Sequence, residues 1–468
     1  MAVMPDSYVD PIDGSLSRRL EMRVREEQAS QRLPSLVLGV AREGHLEWWA
    51  SAGTGGTPAG GPSDDTQYRI GSISKTLVAV CVLRLRDEGR VDLSDPIGRH
   101  IPELSDLPVT VAQLLSHTAG LPAETPAPWW ERVPGGDFSA LVATTLRPEK
   151  LRWRPGRRFH YSNPGYAVLG ELVGRVRRSS LWEVVRAELL EPLGMERTSV
   201  RPVAPHAEGL AVHPHAPLVF SEPEYDAGAM APAGQLWSTV GDLARWSGVI
   251  AGAREDVLSA DSASEMAEPL ALSDIPNQPW TAAYGLGLQV WNVGGVLRVG
   301  HTGGMPGHWA MMQLEPKSKD VIVALANSTY QGSRREIYDD VFSALASRHH
   351  PTTFAPSAPA DPSVVALLGI WYWGPVEFRL RLGADGILEL RGVVPGRDCD
   401  FVPLGDGSYV GRFGYFVGER LTPVRQDDGS LSHLDVASFV LTRAPYDPPH
   451  LIPGGTDPRG WHDSGGNG

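Results

Sequence analysis

The chain has 468 residues, enough for two to four domains of ordinary size, and its 42% hydrophobic and 21% charged content is that of a globular protein with a full core. A formal net charge of −13 and the lack of any long basic block exclude the phosphate-neutralising surface of a nucleic-acid binder. The longest unbroken apolar run, Leu77 to Leu83, falls far short of the roughly 20 residues that cross a bilayer, so no membrane association is read.

From the start, Met1 to Asp13 holds three acids and two prolines and no basic cluster before an apolar stretch, so no secretory signal is read and a cytoplasmic protein is expected. Leu16, Leu20, Met22 and Val24 fall at roughly helical spacing over 14–31 behind Asp13-Gly14. Ser35–Arg42 and His45–Ala52 read as a hairpin turning at Glu43-Gly44. Ser72–Glu88 reads as a helix closed by Gly89. Helical patterns recur at Val111–Ser116, Pro164–Val176, Leu181–Leu193 and Val240–Ile250, the last capped by Ser238-Thr239. Val290–Val299, His308–Leu314 and Asp320–Ala326 have strand composition, and Arg334–Arg348 reads as a closing helix. Strands at both ends with a helical middle predict a sheet in which the two ends of this region meet.

From 349 to 363 the composition turns to Pro, Ala, Thr and Ser, a linker between a domain over 1–348 and a second, smaller one. Beyond it, Val376, Phe378, Leu380 and Leu382 alternate with charged residues, and Asp385-Gly386, Asp406-Gly407 and Asp428-Gly429 punctuate short segments. About eight short strands over 364–446 predict a small antiparallel barrel. The Gly- and Pro-rich stretch 447–468 is expected to be a loosely ordered tail. Cys81 and Cys399 are the only cysteines and read as reduced, partly buried thiols.

Nucleophile elbows, phosphate-binding glycine loops and zinc-protease helices are absent from the sequence, and its 14 scattered histidines suggest no metal; no cofactor is read. Four lysines occur among 42 basic residues, and one of them, Lys75, lies three residues after Ser72 in Gly71-Ser72-Ile73-Ser74-Lys75-Thr76. On a helix this spacing puts both polar ends on one face. A serine hydroxyl needs a neighbouring base, and a lysine serves as one when burial lowers its pKa. Tyr161-Ser162-Asn163 offers a phenol that can work as phenolate or proton relay near a lysine ammonium, and an amide that both donates and accepts. His301-Thr302-Gly303-Gly304 offers a glycine strand edge that substrate backbone can approach and an N–H for an oxyanion. Taken singly, each has a bland reading: a core tyrosine, a turn asparagine, a polar strand end.

Together and in this order, Ser72-x-x-Lys75, Tyr161-x-Asn163 and His301-Thr302-Gly303 resemble the three motifs of serine β-lactamases and penicillin-binding proteins, most closely the class C β-lactamase, D-aminopeptidase and esterase branch. Ser116-His117-Thr118-Ala119-Gly120-Leu121 and Pro232-Ala233-Gly234 are also family-like, and the resemblance covers about residues 15–348. It implies an α+β β-lactamase/transpeptidase-like domain, with an antiparallel sheet flanked by helices and an all-helical lobe. The 364–446 segment resembles the lipocalin-like barrel of some members. His301 stands where β-lactamases usually have a lysine that helps bind the β-lactam carboxylate, which argues against efficient antibiotic hydrolysis.

By this resemblance Ser72 is the nucleophile, Lys75 and Tyr161 share the roles of base and acid, and His301 hydrogen-bonds on the Tyr161 side. The N–H groups of Ser72 and Gly304 form the oxyanion hole, and Asn163, Thr302 and Gly303 meet the acyl chain. Arg443, ending the last barrel strand, is a candidate contact for a peptide carboxylate, against the plainer reading of a solvated surface arginine. Trp129-Trp130 is read as ordinary packing rather than as a wall of the cleft. The whole looks like a penicillin-binding-protein-type thioesterase, a stand-alone cyclase that releases and macrocyclises a nonribosomal peptide from its peptidyl thioester or ester, with a peptidyl carrier protein as the implied partner. An intracellular esterase or D-amino-acid-specific peptidase with the same acyl-enzyme is the alternative, and a non-catalytic acyl-binding protein a third.

Overall fold

Leu36–Arg42 (β1) is apolar at nearly every position, and such a strand is stable only if both of its faces are covered. In the computed structural model, which describes residues 7–273, 279–329, 336–351, 361–383, 386–393 and 396–446, both faces are. The chain divides into two compact units, one over Val9–His349 and one containing the residues beyond with 1–8. The first holds an eight-stranded antiparallel sheet made of β1, His45–Ala52 (β2), Ala271–Leu272 (β3), Ala282–Tyr284 (β4), Gln289–Val293 (β5), Val296–Met305 (β6), His308–Leu314 (β7) and Asp320–Ala326 (β8). Their spatial order is β2-β1-β8-β7-β6-β5-β4-β3, so the two ends of this unit meet at the pairing of β1 with β8.

Period-two geometry sorts the side chains. Leu36, Leu38, Val40, Ile322 and Ala324 pack with helices Gly14–Ser30 (α1) and Glu336–Ala346 (α5). Val37, Ala41, Val321, Val323 and Leu325 face the other way, into the larger core with Ser74–Asp87 (α2), Asn163–Arg177 (α3) and Val240–Ile250 (α4). Gly39 lets α4 lie on the sheet, since a Cβ there would stand 2.3 Å from Val240 Cγ2. Thr239 caps α4 by accepting from the Asp242 N–H at 3.1 Å.

Two expected elements differ. Val290–Val299 is not one strand but the hairpin β5–β6, turned by Gly294-Gly295 with φ of 61° and 89°. Leu181–Leu193 is interrupted by a π turn over Arg186–Leu190, in which the Glu191 N–H reaches back to the Arg186 carbonyl. Pro192 supplies the reason: it has no N–H to give an α-helix, and its ring crowds the carbonyl four residues back.

In the second unit eight antiparallel strands run in sequence order from Gly369–Trp373 to Phe439–Leu441. Trp371, Phe378, Leu380, Leu388, Leu390, Phe401, Leu421 and Leu434 fill the interior, while Arg379 and Arg381 point outward. The ends meet through one bridge, the Tyr372 N–H on the Thr442 carbonyl at 2.7 Å and the return bond at 2.9 Å, giving a nearly closed, lipocalin-like barrel. Of the 349–363 stretch, His349–Pro351 is a strand and Asp361 caps a short helix at Pro362–Val365. The rest of that stretch, Asp385 and the 447–468 tail lie outside the described residues. Cys81 and Cys399 are free and buried. Among the described residues no helix is long and apolar enough to cross a membrane, and no group of three or more His, Cys, Asp or Glu is placed to hold a metal.

Candidate active site

Gly71 bends the chain into α2 with a φ of 51°, and a Cβ on it would lie 2.5 Å from the Gly304 nitrogen, so the position admits no side chain. Ser72 follows on the 3₁₀ turn Gly71–Ile73 and keeps part of its surface open. One turn on, Lys75 is wholly buried, with Nζ hydrogen-bonded to Ser72 Oγ at 2.8 Å and donating to the Ala233 carbonyl at 2.6 Å. Burial disfavours the ammonium and brings its pKa down to about 7, although Glu124 and Glu131 pull the other way. Near neutrality, therefore, this amine exists partly as a free base beside the serine oxygen.

Tyr161 is placed by the start of α3. Ser162 caps that helix by accepting from the Gly165 N–H at 3.2 Å, and its hydroxyl donates to the Pro122 carbonyl at 2.7 Å. The Ser162 N–H donates to His117 Nδ1 at 3.0 Å, and the His117 ring packs 4.2 Å from that of Tyr161. The phenol hydrogen-bonds with Ser72, and Lys75 Nζ sits 5.1 Å from the ring centre. Burial holds the phenol well above its ordinary pKa and the bond to Ser72 only partly offsets it, so the hydroxyl stays protonated at neutral pH. A resting phenolate, one of the forms considered for this residue, is thereby disfavoured.

His301 on β6 requires a correction. It is buried beside the site, but its Nε2 meets the Tyr284 hydroxyl at 2.9 Å rather than Tyr161, whose ring centre is 6.4 Å from its own. Nδ1 faces the Thr302 carbonyl, which only accepts, so Nδ1 carries the proton and Nε2 receives one from Tyr284. Burial, reinforced by Lys75, lowers its pKa to about 3, so the ring is neutral. Tyr284 ends β4 opposite Gln289, and Gln289 also pairs with Gly300, the residue before His301, so Tyr284 and His301 stand at the same level of the sheet.

The glycine edge runs against the nucleophile: a Cβ on Gly303 would fall 1.9 Å from the Ile70 carbonyl oxygen and 3.1 Å from the Ser72 nitrogen. Thr302 turns its N–H and hydroxyl to Gln289 Oε1 at 2.9 and 3.1 Å. Asn163 donates through Nδ2 to Glu124 Oε1 at 2.7 Å, while its buried Oδ1 has no protein donor. Arg443, in the second unit, is held by its own barrel. Its guanidinium donates to the Ile370 and Ala366 carbonyls and stacks 3.8 Å from the centre of the Trp371 ring, bracing its own barrel. It stays exposed, as in the plainer reading of a surface arginine, with its donors taken by those carbonyls. Trp130 is buried and Trp129 is 54% exposed.

Tyr284, Ala233, Glu124 and Glu131 escape sequence reasoning. Tyr284 stands in an unremarked Ala-Ala-Tyr-Gly stretch and Ala233 contributes only a backbone oxygen, whereas His117 lies in a stretch that is family-like but suggests no role for it.

A serine and lysine at a helix start, a tyrosine from the helical region and a glycine-edged strand define the β-lactamase/transpeptidase-like class of acyl-serine hydrolase folds. The Beta-lactamase family model matches residues 20–346, and the chain belongs to that family. Residues 360–443 match a Domain of unknown function (DUF7586). Protein flp of Staphylococcus aureus (strain N315) is 27% identical over 277 residues, covering 57% of this chain, and the match spans only about half, 53%, of flp itself. Penicillin-binding protein 4 of Amycolatopsis lactamdurans is 26% identical over 369 residues, 74% of this chain and 94% of that protein. Among solved structures, the octameric penicillin-binding protein homologue from Pyrococcus abyssi has a TM-score of 0.62 at 21% identity, covering 91% of this chain and 99% of its own. D-amino acid amidase from Ochrobactrum anthropi SV3, complexed with D-phenylalanine, has a TM-score of 0.63 at 22% identity and covers 71% of this chain and 99% of its own. At these identities the likeness is one of fold.

Proposed function

We propose that the protein is a serine acyltransferase or hydrolase working through an acyl-Ser72 intermediate, and that its reaction is the release and macrocyclisation of a peptidyl thioester by a stand-alone thioesterase. The observation that carries the acyl-serine reading is the buried Lys75 amine, partly unprotonated at pH 7, hydrogen-bonded to a serine oxygen that remains accessible. Ser72 Oγ bonds the acyl carbon while its proton passes to Lys75 Nζ. The carbonyl electron pair moves onto oxygen, where the N–H groups of Ser72 and Gly304 are the proposed donors, each worth about 3–4 kcal/mol. Collapse breaks the bond to sulfur, oxygen or nitrogen, and the leaving group takes the proton from Lys75. Tyr161, a protonated phenol bonded to Ser72, relays that proton without becoming a resting anion. The neutral His301 accepts from Tyr284, whose ring lies 6.3 Å from that of Tyr161. Deacylation repeats the steps with an amine or water as the nucleophile, and the product depends on which arrives first.

The lipocalin-like barrel in the same chain supports the thioesterase reading, with a peptidyl carrier protein as the proposed donor partner and the cytoplasm as the proposed site. A hydrolase of D-amino acid amides or esters is the second reading, favoured by the likeness to a D-amino acid amidase solved with D-phenylalanine. Ser72→Ala is expected to abolish the mass shift left by an acylating probe such as a fluorophosphonate; a variant that still labels to the same extent overturns the assignment. Incubation with a peptidyl thioester mimic then separates the readings, a cyclic product supporting the cyclase and a linear acid the hydrolase.

A further inference from the structure

Arg69 ends the short strand Tyr68–Arg69, which pairs with Trp237–Ser238, and only 2% of it is exposed. Two other arginines are buried among the described residues, and each has an acid: Arg298 meets Asp339, and Arg348 meets Glu47 at 2.6 Å. Arg69 forms no ion pair among the described residues. Its Nη2 donates to the Tyr225 carbonyl at 3.3 Å and to Gln235 Oε1 at 3.2 Å, while Nε and Nη1 are buried without an acceptor. Gln235 has nothing further to give, since its Oε1 also takes the Ala227 N–H and its Nε2 is spent on the Val200 carbonyl. A guanidinium keeps its charge even when buried, so N–H groups left unmet there cost stability until something supplies an acceptor. Burial lowers the pKa of Arg69, and Glu224, Glu131 and Asp226 offset this only through space.

A second observation points the same way. Arg69 lines a cavity of about 350 Å³, with Pro202, Glu224, Tyr225, Asp226 and Trp237 among its other walls. That is room for a small organic molecule. Ser72, Lys75, Tyr161, Asn163 and His301 are not among the lining residues. The charges choose the ligand. A carboxylate is the acceptor that a guanidinium binds best through paired N–H groups. Asp226 is answered by Arg201 at 3.4 Å, whereas Glu224 forms no ion pair and burial pushes it above the usual carboxylate range. These two acids disfavour a dianion such as phosphate and admit a single negative charge. Pro202, Tyr225 and Trp237 offer apolar surface to the rest of the molecule.

We infer that this cavity is a binding site for a small organic monocarboxylate, held by Arg69 and separate from the serine cleft. The inference goes beyond the acyl-serine reading and stands without it. The backbone beside the cavity also carries the nucleophile: the Ile70 N–H donates to the Leu236 carbonyl at 2.9 Å, and the Leu236 N–H donates to Ser74 Oγ at 3.2 Å. An occupant therefore lies against the segment that leads into Ser72.

Isothermal titration calorimetry of the full chain with benzoate, benzamide and inorganic phosphate tests the site. Saturable binding of benzoate is expected, about tenfold or more tighter than benzamide, which has the same shape without the charge, and tighter than phosphate by a similar factor. Glu224→Gln removes a like charge at an exposed position and is expected to tighten benzoate about threefold while leaving benzamide unchanged. Arg69→Gln, checked by thermal unfolding, is expected to abolish benzoate binding; if that variant does not fold, the wild type and Glu224→Gln decide. Blocking Ser72 beforehand with a fluorophosphonate is expected to leave benzoate binding as it was, and its loss would place the ligand in the serine cleft and overturn the separate site. Failure of millimolar benzoate to saturate the wild type overturns the inference. So does benzamide or phosphate binding as tightly as benzoate, an unchanged benzoate affinity in Glu224→Gln, or a folded Arg69→Gln that still binds it.

Discussion

At Lys75 a single buried amine sets the pH behaviour. Its pKa in the folded protein, about 7, lies below the ordinary 10.5, so the lone pair that accepts the serine proton appears only as pH rises through 7. The rate of Ser72 acylation is expected to climb about tenfold per unit below pH 7 and level off above it, as read by stopped-flow with a chromogenic ester. Between about 7 and 10.5 the unfolded chain binds a proton that the native one does not, so this residue makes stability rise with pH across that window. Lys75→Met should abolish acylation and remove that part of the slope from denaturant titrations. Tyr284→Phe leaves His301 Nε2 buried without its donor and should cost about 1–3 kcal/mol in the same titrations. Ser72 and Lys75 were legible because they share one helical turn. Tyr284 was not, because it meets His301 across 17 residues of sequence and nothing within three residues of it hints at that meeting.

Elements with strong local signals matched their reading. The β1–β2 hairpin turns at Glu43 and Gly44, both with positive φ, and α4 begins at its threonine cap and runs over Val240–Ile250 as expected. The hairpin hidden in 290–299 was missed because apolar residues flank Gly294-Gly295 on both sides and mask the turn. The π turn before Pro192 was missed because a wide turn has no pattern of its own, only a proline to account for it. The most constrained contact is between β6 and the turn that carries Ser72. Gly303→Ala would set a methyl 1.9 Å from the Ile70 carbonyl oxygen, so the strand must withdraw from the nucleophile. Labelling of Ser72 is expected to slow by about a hundredfold or more, comparable to losing one oxyanion donor, with a fall in melting temperature as a separate readout.

The two units each carry a core of their own. The barrel was readable from alternation at Phe378 and Leu380 and from its Asp-Gly turns; its closure through Tyr372 and Thr442 was not, since a single bridge leaves no trace in composition. Leu388→Ala removes a fully buried side chain there and should destabilise the barrel by about 2–5 kcal/mol, followed by tryptophan fluorescence.

In the larger unit, β1 waits for β8, with Arg42 and Asp320 standing 278 residues apart. At the roughly 5–20 residues per second of synthesis, an apolar ribbon leaves the ribosome some 14–56 s before the neighbour that zips onto its open side has been made. For that interval its unpaired amides offer a template to any extended segment nearby. The growing polypeptide thus carries an open sheet edge that closes only when the fold's last sheet strand slots in between β1 and β7.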